Sequence, residues 1–201
     1  METLLALCIG LGLSAACGFR VFVPLLGLSI AAHAGHVALA ADFAWLGSIP
    51  AIIALSFATA LEIGGYYIPW LDHFLDALAT PAAVVAGAMV SASLITDMSP
   101  MMRWSLAVIA GGGLAGLVQT TTVLARAGST LTTGGLGNPL VATLELGGSL
   151  LSTLLSLLAP ALGVGVVLAC AGLIGVHVHR RRQTAAAPQQ GGKTSSAGAA
   201  T

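Results

Sequence analysis

Charge is the first thing this sequence lacks. Seven basic and seven acidic residues are spread over 201 positions, 7% of the chain, where a soluble domain carries roughly 25%. So few ionic groups cannot coat a folded body of this size against water. With 57% hydrophobic residues and a mean hydropathy of +0.97, the fold class expected is all-α: a polytopic membrane helix bundle whose partner over most of its surface is the lipid bilayer. The formal net charge is zero. The one basic cluster, Arg180-Arg181-Arg182, follows the last apolar segment, so no nucleic-acid partner is expected.

Large rings are scarce as well. Aromatics make up 5% of the chain against 26 glycines, which favours helices packed closely through small residues over a core of bulky ones. Trp45, Trp70 and Trp104 each fall near an expected helix end and read as an interfacial belt. The cysteines are three, an odd number, and none stands in a CxxC pair. Cys8, Cys17 and Cys170 all lie in apolar stretches and read as small buried hydrophobes. A basic leader is lacking too: Met1-Glu2-Thr3 carries no positive charge, and the apolar run from Leu4 is longer than a signal peptide's, so a retained helix is expected.

Catalytic signatures are missing. There is no HExxH, no CxxC and no Ser/His/Asp or Cys/His set. Gly134-Gly135-Leu136-Gly137-Asn138-Pro139 has neither the Gly-Lys-Ser/Thr of a phosphate loop nor a strand before it. No enzymatic activity, cofactor or metal is expected. His33 and His36 share a polar loop but make a weak metal pair, and His177 and His179 adjoin the arginine cluster at headgroup level.

What the sequence does hold is a series of apolar segments, each near the roughly 20 residues that one crossing needs. The first runs from Leu4 to Ala32, longer than one crossing, and is expected to tilt or to break near Gly18. A second helix is predicted from about Trp45 to Tyr66, followed by an amphipathic connection, Tyr67 to Ala77. A third helix spans Leu78 to Ile95 with Pro81 in its first turn, and a fourth Met102 to Ala127. The Thr/Gly-rich stretch Gly128 to Asn138 reads as too flexible for regular structure. A fifth helix runs from Pro139 to Leu158 and a sixth from Pro160 to Val178. The expected organisation is a transmembrane domain over 1–179 and a disordered tail over 180–201. Arg180 to Arg182 and Lys193 place the C-terminus in the cytoplasm; Arg126 agrees with that orientation and Arg103 does not.

Two segments resemble each other: Ala60-Leu61-Glu62-Ile63-Gly64-Gly65 and Thr143-Leu144-Glu145-Leu146-Gly147-Gly148. Each sits in the middle helix of three, so a 3+3 inverted repeat of the kind found in secondary transporters is expected. Placed by simple helix limits, the two glutamates fall near the same side, which an inverted pair would not do.

Arg20, Glu62 and Glu145 are the ionisable groups set within apolar segments. A charge there costs about 2.5–3.5 kcal/mol on insertion scales, so it usually faces a partner, water or the bundle interior. These three are read as an ion or substrate pathway, Arg20 being the counter-charge to one glutamate; the plainer alternative is a buried ion pair that only fixes helix register. Carbonyls released by the Gly128–Pro139 stretch, with Thr132, Thr133 and Asn138, would line the same pathway. Asp72 and Asp76 stand four apart on one helix face and could together hold a hard cation, or form a wet interfacial face.

Gly18-Phe19-Arg20-Val21-Phe22-Val23-Pro24, Glu62 with Ile68-Pro69-Trp70-Leu71-Asp72, Asp76, Ala79-Thr80-Pro81, and Gly134-Gly135-Leu136-Gly137-Asn138-Pro139 with Glu145 resemble the bacterial membrane-protein family catalogued as domain of unknown function 4126. The likeness covers about residues 4–178 and implies a multi-pass membrane protein without an assigned activity. One departure is plain: members often carry an acidic-basic pair just before Ile-Pro, where this chain has Tyr66 and Tyr67. The function expected is a small transporter or channel-like permease for an ion or small polar solute, proton- or cation-coupled, in the bacterial inner membrane and acting as a homo-oligomer. The alternative is a structural or accessory membrane protein.

Overall fold

Proline and serine mark where the helices begin. Pro50, Pro69, Pro100 and Pro139 each stand at the first or second helical position, where the missing N–H costs nothing and the fixed φ suits the first turn. Ser48 and Ser99 accept the amides of Ala51 and Met102 with their side chains. A computed structural model describes residues 2–160, 162 and 165, all of them in one compact unit, Met1–Val167. The described residues are all-helical, without a strand.

The first apolar stretch is broken at Gly18. Helix α1 (Glu2–Cys17) and helix α2 (Phe22–His33) flank a short turn that holds Arg20. The 16 residues of α1 extend about 24 Å, short of a hydrocarbon core of roughly 30 Å. A 3₁₀ segment, Ala41–Gly47, then leads into α3 (Ile49–Gly65). The sequence predicted one helix from Trp45; instead the two pieces meet at 66°, because Ser48 adopts an extended conformation to cap α3.

The connection expected over Tyr67–Ala77 is helical from Pro69 onward. Helix α4 runs unbroken from Pro69 to Leu94, with Pro81 in its interior and not its first turn. A proline costs one backbone bond, which packed membrane-type helices tolerate where neighbours cover the gap.

Helix α5 (Pro100–Leu106), a π-helical turn (Ala107–Gly112) and helix α6 (Gly113–Thr133) follow without interruption, a helical run of 34 residues. The stretch from Gly128 was expected to be irregular, yet the helix continues to Thr133. The Thr132 and Thr133 hydroxyls donate to the carbonyls of Gly128 and Ser129 one turn back, a local bond that lets threonine sit in a helix. The turn is confined to Gly134–Gly137, and Gly134 closes α6 at φ 63°, a left-handed conformation suited to glycine. Helix α7 (Asn138–Leu158) matches the fifth segment closely. The sixth lies almost wholly outside the described residues, as do Cys170, His177, His179, the arginine cluster and the tail.

Three of these helices are long and apolar enough to cross a membrane, or four if the bent pair counts as one span. Helix α1 packs against α4 and α7, α4 against the π turn and α6, and α2 against α3 and α7. Small residues line these seams. The Ser14 hydroxyl donates to the Gly87 carbonyl at 2.7 Å and lies 2.9 Å from that of Ser91. A Cβ on Gly87 would stand 2.8 Å from the Gly111 carbonyl oxygen, so α4 and the π turn meet backbone to backbone.

Outward and inward faces are reversed relative to a soluble protein. On α7, Leu140, Leu144, Leu151, Leu154 and Leu158 are exposed while Asn138, Glu145, Ser149, Thr153 and Ser156 are buried. On α6, Leu117, Leu124 and Leu131 face outward and Gln119, Thr122 and Arg126 inward. Membrane-type helices sort this way because the outside is the less polar medium.

Candidate functional site

The break between α1 and α2 places Arg20 in the interior, where it is 2% exposed. Its Nη2 donates to the carbonyl of Ala142 on α7 at 2.9 Å and stands 3.6 Å from Glu145 Oε2. Glu145 in turn is held by Arg126 of α6: Arg126 Nε donates to Oε1 at 2.9 Å and Nη2 to Oε2. Glu145 Oε2 therefore faces both guanidiniums, with the tighter, two-pronged pairing going to Arg126.

Glu62, near the end of α3, does something different. Its Oε1 accepts the backbone N–H of Val21 at 2.7 Å and its Oε2 that of Phe22 at 3.1 Å. A carboxylate here satisfies two amides that begin α2 and lies at the positive end of that helix's dipole. Both glutamates of the similar segments thus converge on the break at 18–21, one through its backbone and one through its arginine.

Tyr66, one turn after Glu62, completes the group. The guanidinium carbons of Arg20 and Arg126 lie 3.8 and 4.1 Å from its ring centroid, within cation–π range. Next to it, the Tyr67 hydroxyl lies 3.0 Å from that of Thr143, joining the end of α3 to α7. Two arginines, two glutamates and one ring from four parts of the chain form a single buried network.

Other residues singled out by sequence lie elsewhere. Thr132 and Thr133 are exposed at the end of α6 and bond back to their own helix. Of the carbonyls expected to line a pathway, those of Gly128 and Ser129 accept the Thr132 and Thr133 hydroxyls, and those of Thr133, Gly135 and Gly137 accept amides of the following turn. Asn138 is buried at the start of α7 and pairs with Thr130, two helical turns from Glu145. Asp72 and Asp76 fall in the first turns of α4; their side chains, like that of Trp70, lie outside the described residues. No group of three or more His, Cys, Asp or Glu that could hold a metal occurs among the described residues. His33 is tied to the Gly47 carbonyl at 2.8 Å.

Sequence reasoning missed two members. Arg126 reads as a charge flanking a helix end, yet it is 4% exposed; the signal was its spacing from Gln119 and Thr122, seven and four positions back on one helical face. Tyr66 drew notice only as a departure from the acidic-basic pair.

The model of the family described as "Domain of unknown function (DUF4126)" matches residues 7–180. This chain belongs to that family. The match takes in every residue of the buried network. No curated protein and no solved structure matches the chain.

Proposed function

We propose that this DUF4126 protein is a small permease of the bacterial inner membrane that carries an ion or small polar solute, with proton or cation coupling. The observation that supports this most is the buried network at a helix break: Arg20, Glu62, Arg126 and Glu145 are each less than 10% exposed and meet where α1 stops and α2 begins. Charges in such a setting are costly and recur on solute pathways, and interrupted helices are a common way to build one. Six crossings in a 3+3 inverted repeat are proposed on the likeness of the Glu62 and Glu145 segments alone, and a cytoplasmic C-terminus on Arg180 to Arg182 and Lys193. A repeat unit this small encloses a pathway most readily as a homo-oligomer. No catalytic role is proposed.

The test is flux of candidate solutes in proteoliposomes, with Glu62→Gln and Glu145→Gln compared against the wild type and folding checked by size-exclusion chromatography. Loss of flux in correctly folded variants supports the reading. A second reading, an accessory subunit, draws on how completely Glu145 and Glu62 are already occupied by Arg126 and by the α2 amides. It gains if flux is absent or indifferent to both changes while either change releases a co-purifying subunit.

A further inference from the structure

The arginine at the break is underused. A guanidinium has five N–H bonds. Nη2 of Arg20 is spoken for by the Ala142 carbonyl at 2.9 Å, and its distance of 3.6 Å to Glu145 Oε2 is too long for a hydrogen bond. Nε and Nη1, which carry three of the five N–H bonds, are buried and have no hydrogen-bond partner. Buried donors are normally satisfied, and a charged one left bare is especially unfavourable.

Neither carboxylate nearby fills that role. Glu145 gives both its oxygens to Arg126, and Glu62 gives both of its to the amides of Val21 and Phe22. Arg20 thus carries a full positive charge with no hydrogen-bonded counter-ion. Its ring contact with Tyr66 covers a face of the guanidinium and leaves the N–H edges, which lie in its plane, to another group. Thr59, one turn before Glu62 on α3, has a buried hydroxyl without a partner, able to donate or accept. Helix α2 begins two residues after Arg20, and its first amides are taken by Glu62.

We propose that Arg20 Nε and Nη1 form the binding point for a small monovalent anion bearing acceptor lone pairs, such as a halide, nitrate or formate. The unpartnered Arg20 Nε and Nη1 can only donate and carry positive charge, so at that edge they call for an acceptor and repel a cation. Arg20 and Arg126 already face Glu62 and Glu145, so the ligand carries no more than one negative charge. This names the solute class of the permease and in that respect rests on the function proposed above.

Two measurements on the full-length protein separate the two ideas. The first is the thermal unfolding midpoint in detergent at constant sodium concentration, with chloride, nitrate or formate replacing gluconate, an anion too large for a site of this kind. A ligand of the folded state raises the midpoint in a saturable way. The expected result is such a rise in the wild type and its loss in Arg20→Gln. Arg20→Lys, which keeps the charge but offers donors from a single atom, should weaken apparent affinity about tenfold or more. If Arg20→Gln does not fold, the lysine variant carries the comparison. No saturable rise, or one that persists when Arg20 is replaced, overturns the anion site and leaves water as the partner of those N–H groups. The second is the reversal potential of proteoliposomes under a sodium salt gradient. Selectivity for the anion supports the inference, and selectivity for sodium overturns it while the permease reading stands. A saturable midpoint shift without any flux keeps the anion site and removes the permease.

Discussion

The Glu62 carboxylate accepts the Val21 amide at 2.7 Å, so α2 receives its N-terminal cap from a side chain on α3. No cap comes from Val21, the residue at that position, which has no side-chain acceptor. The same carboxylate also takes the Phe22 amide, and both bonds are charge-assisted.

Glu62→Ala removes both and leaves two amides, one buried and one half-buried, without their acceptor. Loss of an ordinary cap costs about 0.5–2 kcal/mol; buried hydrogen bonds to a charged group are worth about 1.5–3 kcal/mol each, so destabilisation at or above the top of the cap range is expected. Glu62→Gln keeps one acceptor oxygen and should cost less. Hydrogen–deuterium exchange checks this: amides at the start of α2 should lose protection in Glu62→Ala, while those in the middle of α4 change far less. Equal loss along the whole chain would instead indicate general unfolding.

This cap also shows what could and could not be read from the sequence. Gly18 and the position of Arg20 within an apolar run are local signals; they left a tilted helix or a break near Gly18, and the helix breaks. Pro139 likewise marked the start of α7 to within one residue. The partners of Glu62 and Glu145 are not local: one lies 41 positions away and the other 19, and no periodicity in the α3 or α7 sequence encodes them. The Gly128–Thr133 stretch misled for another reason. Threonine and glycine weaken a helix in water, but here the hydroxyls bond the preceding turn, and a medium with few competing donors leaves the backbone little alternative to its own bonds.

Arg126 and Glu145 should behave as a unit. Removing one member of a buried ion pair costs about 3–5 kcal/mol because the other is left uncompensated. Glu145→Leu and Arg126→Met are each expected to lower the unfolding midpoint strongly. The double variant should recover part of that loss, since two apolar side chains of similar volume need no compensation, while Arg20, 3.6 Å from Glu145 Oε2, still loses its nearest carboxylate. A double-mutant cycle measures the coupling; additive losses would show that the pair does not act as one.

Tyr66 offers its ring to two guanidiniums at 3.8 and 4.1 Å. Each desolvated cation–π contact is worth up to about 2 kcal/mol. Tyr66→Leu should therefore destabilise the protein beyond the effect of its lost area, and the excess should shrink in an Arg126→Met background, where one of the two cations is gone. Unfolding in detergent across these four proteins tests it, and an excess unaffected by Arg126 would assign the effect to packing alone.

The crossing of α4 with the π turn sets the tolerance for added volume. A Cβ on Gly87 would lie 2.6 Å from Ala115 Cβ and 2.8 Å from the Gly111 carbonyl oxygen. These neighbours are backbone and a methyl group, which cannot swing aside, so Gly87→Ala must separate two helices and should cost about 1–3 kcal/mol, the usual range for overpacking. Gly113, only two positions beyond Gly111, has nothing within 4 Å of its virtual Cβ. Gly113→Ala should accordingly be neutral or stabilising by about 0.5–1 kcal/mol, the helix-interior preference for alanine. Because both changes add one methyl to a glycine in a helix, their difference in unfolding midpoint isolates the backbone contact between α4 and the π turn. If the two variants melt together, that contact is looser than 2.8 Å implies and α4 has room to slide against α6.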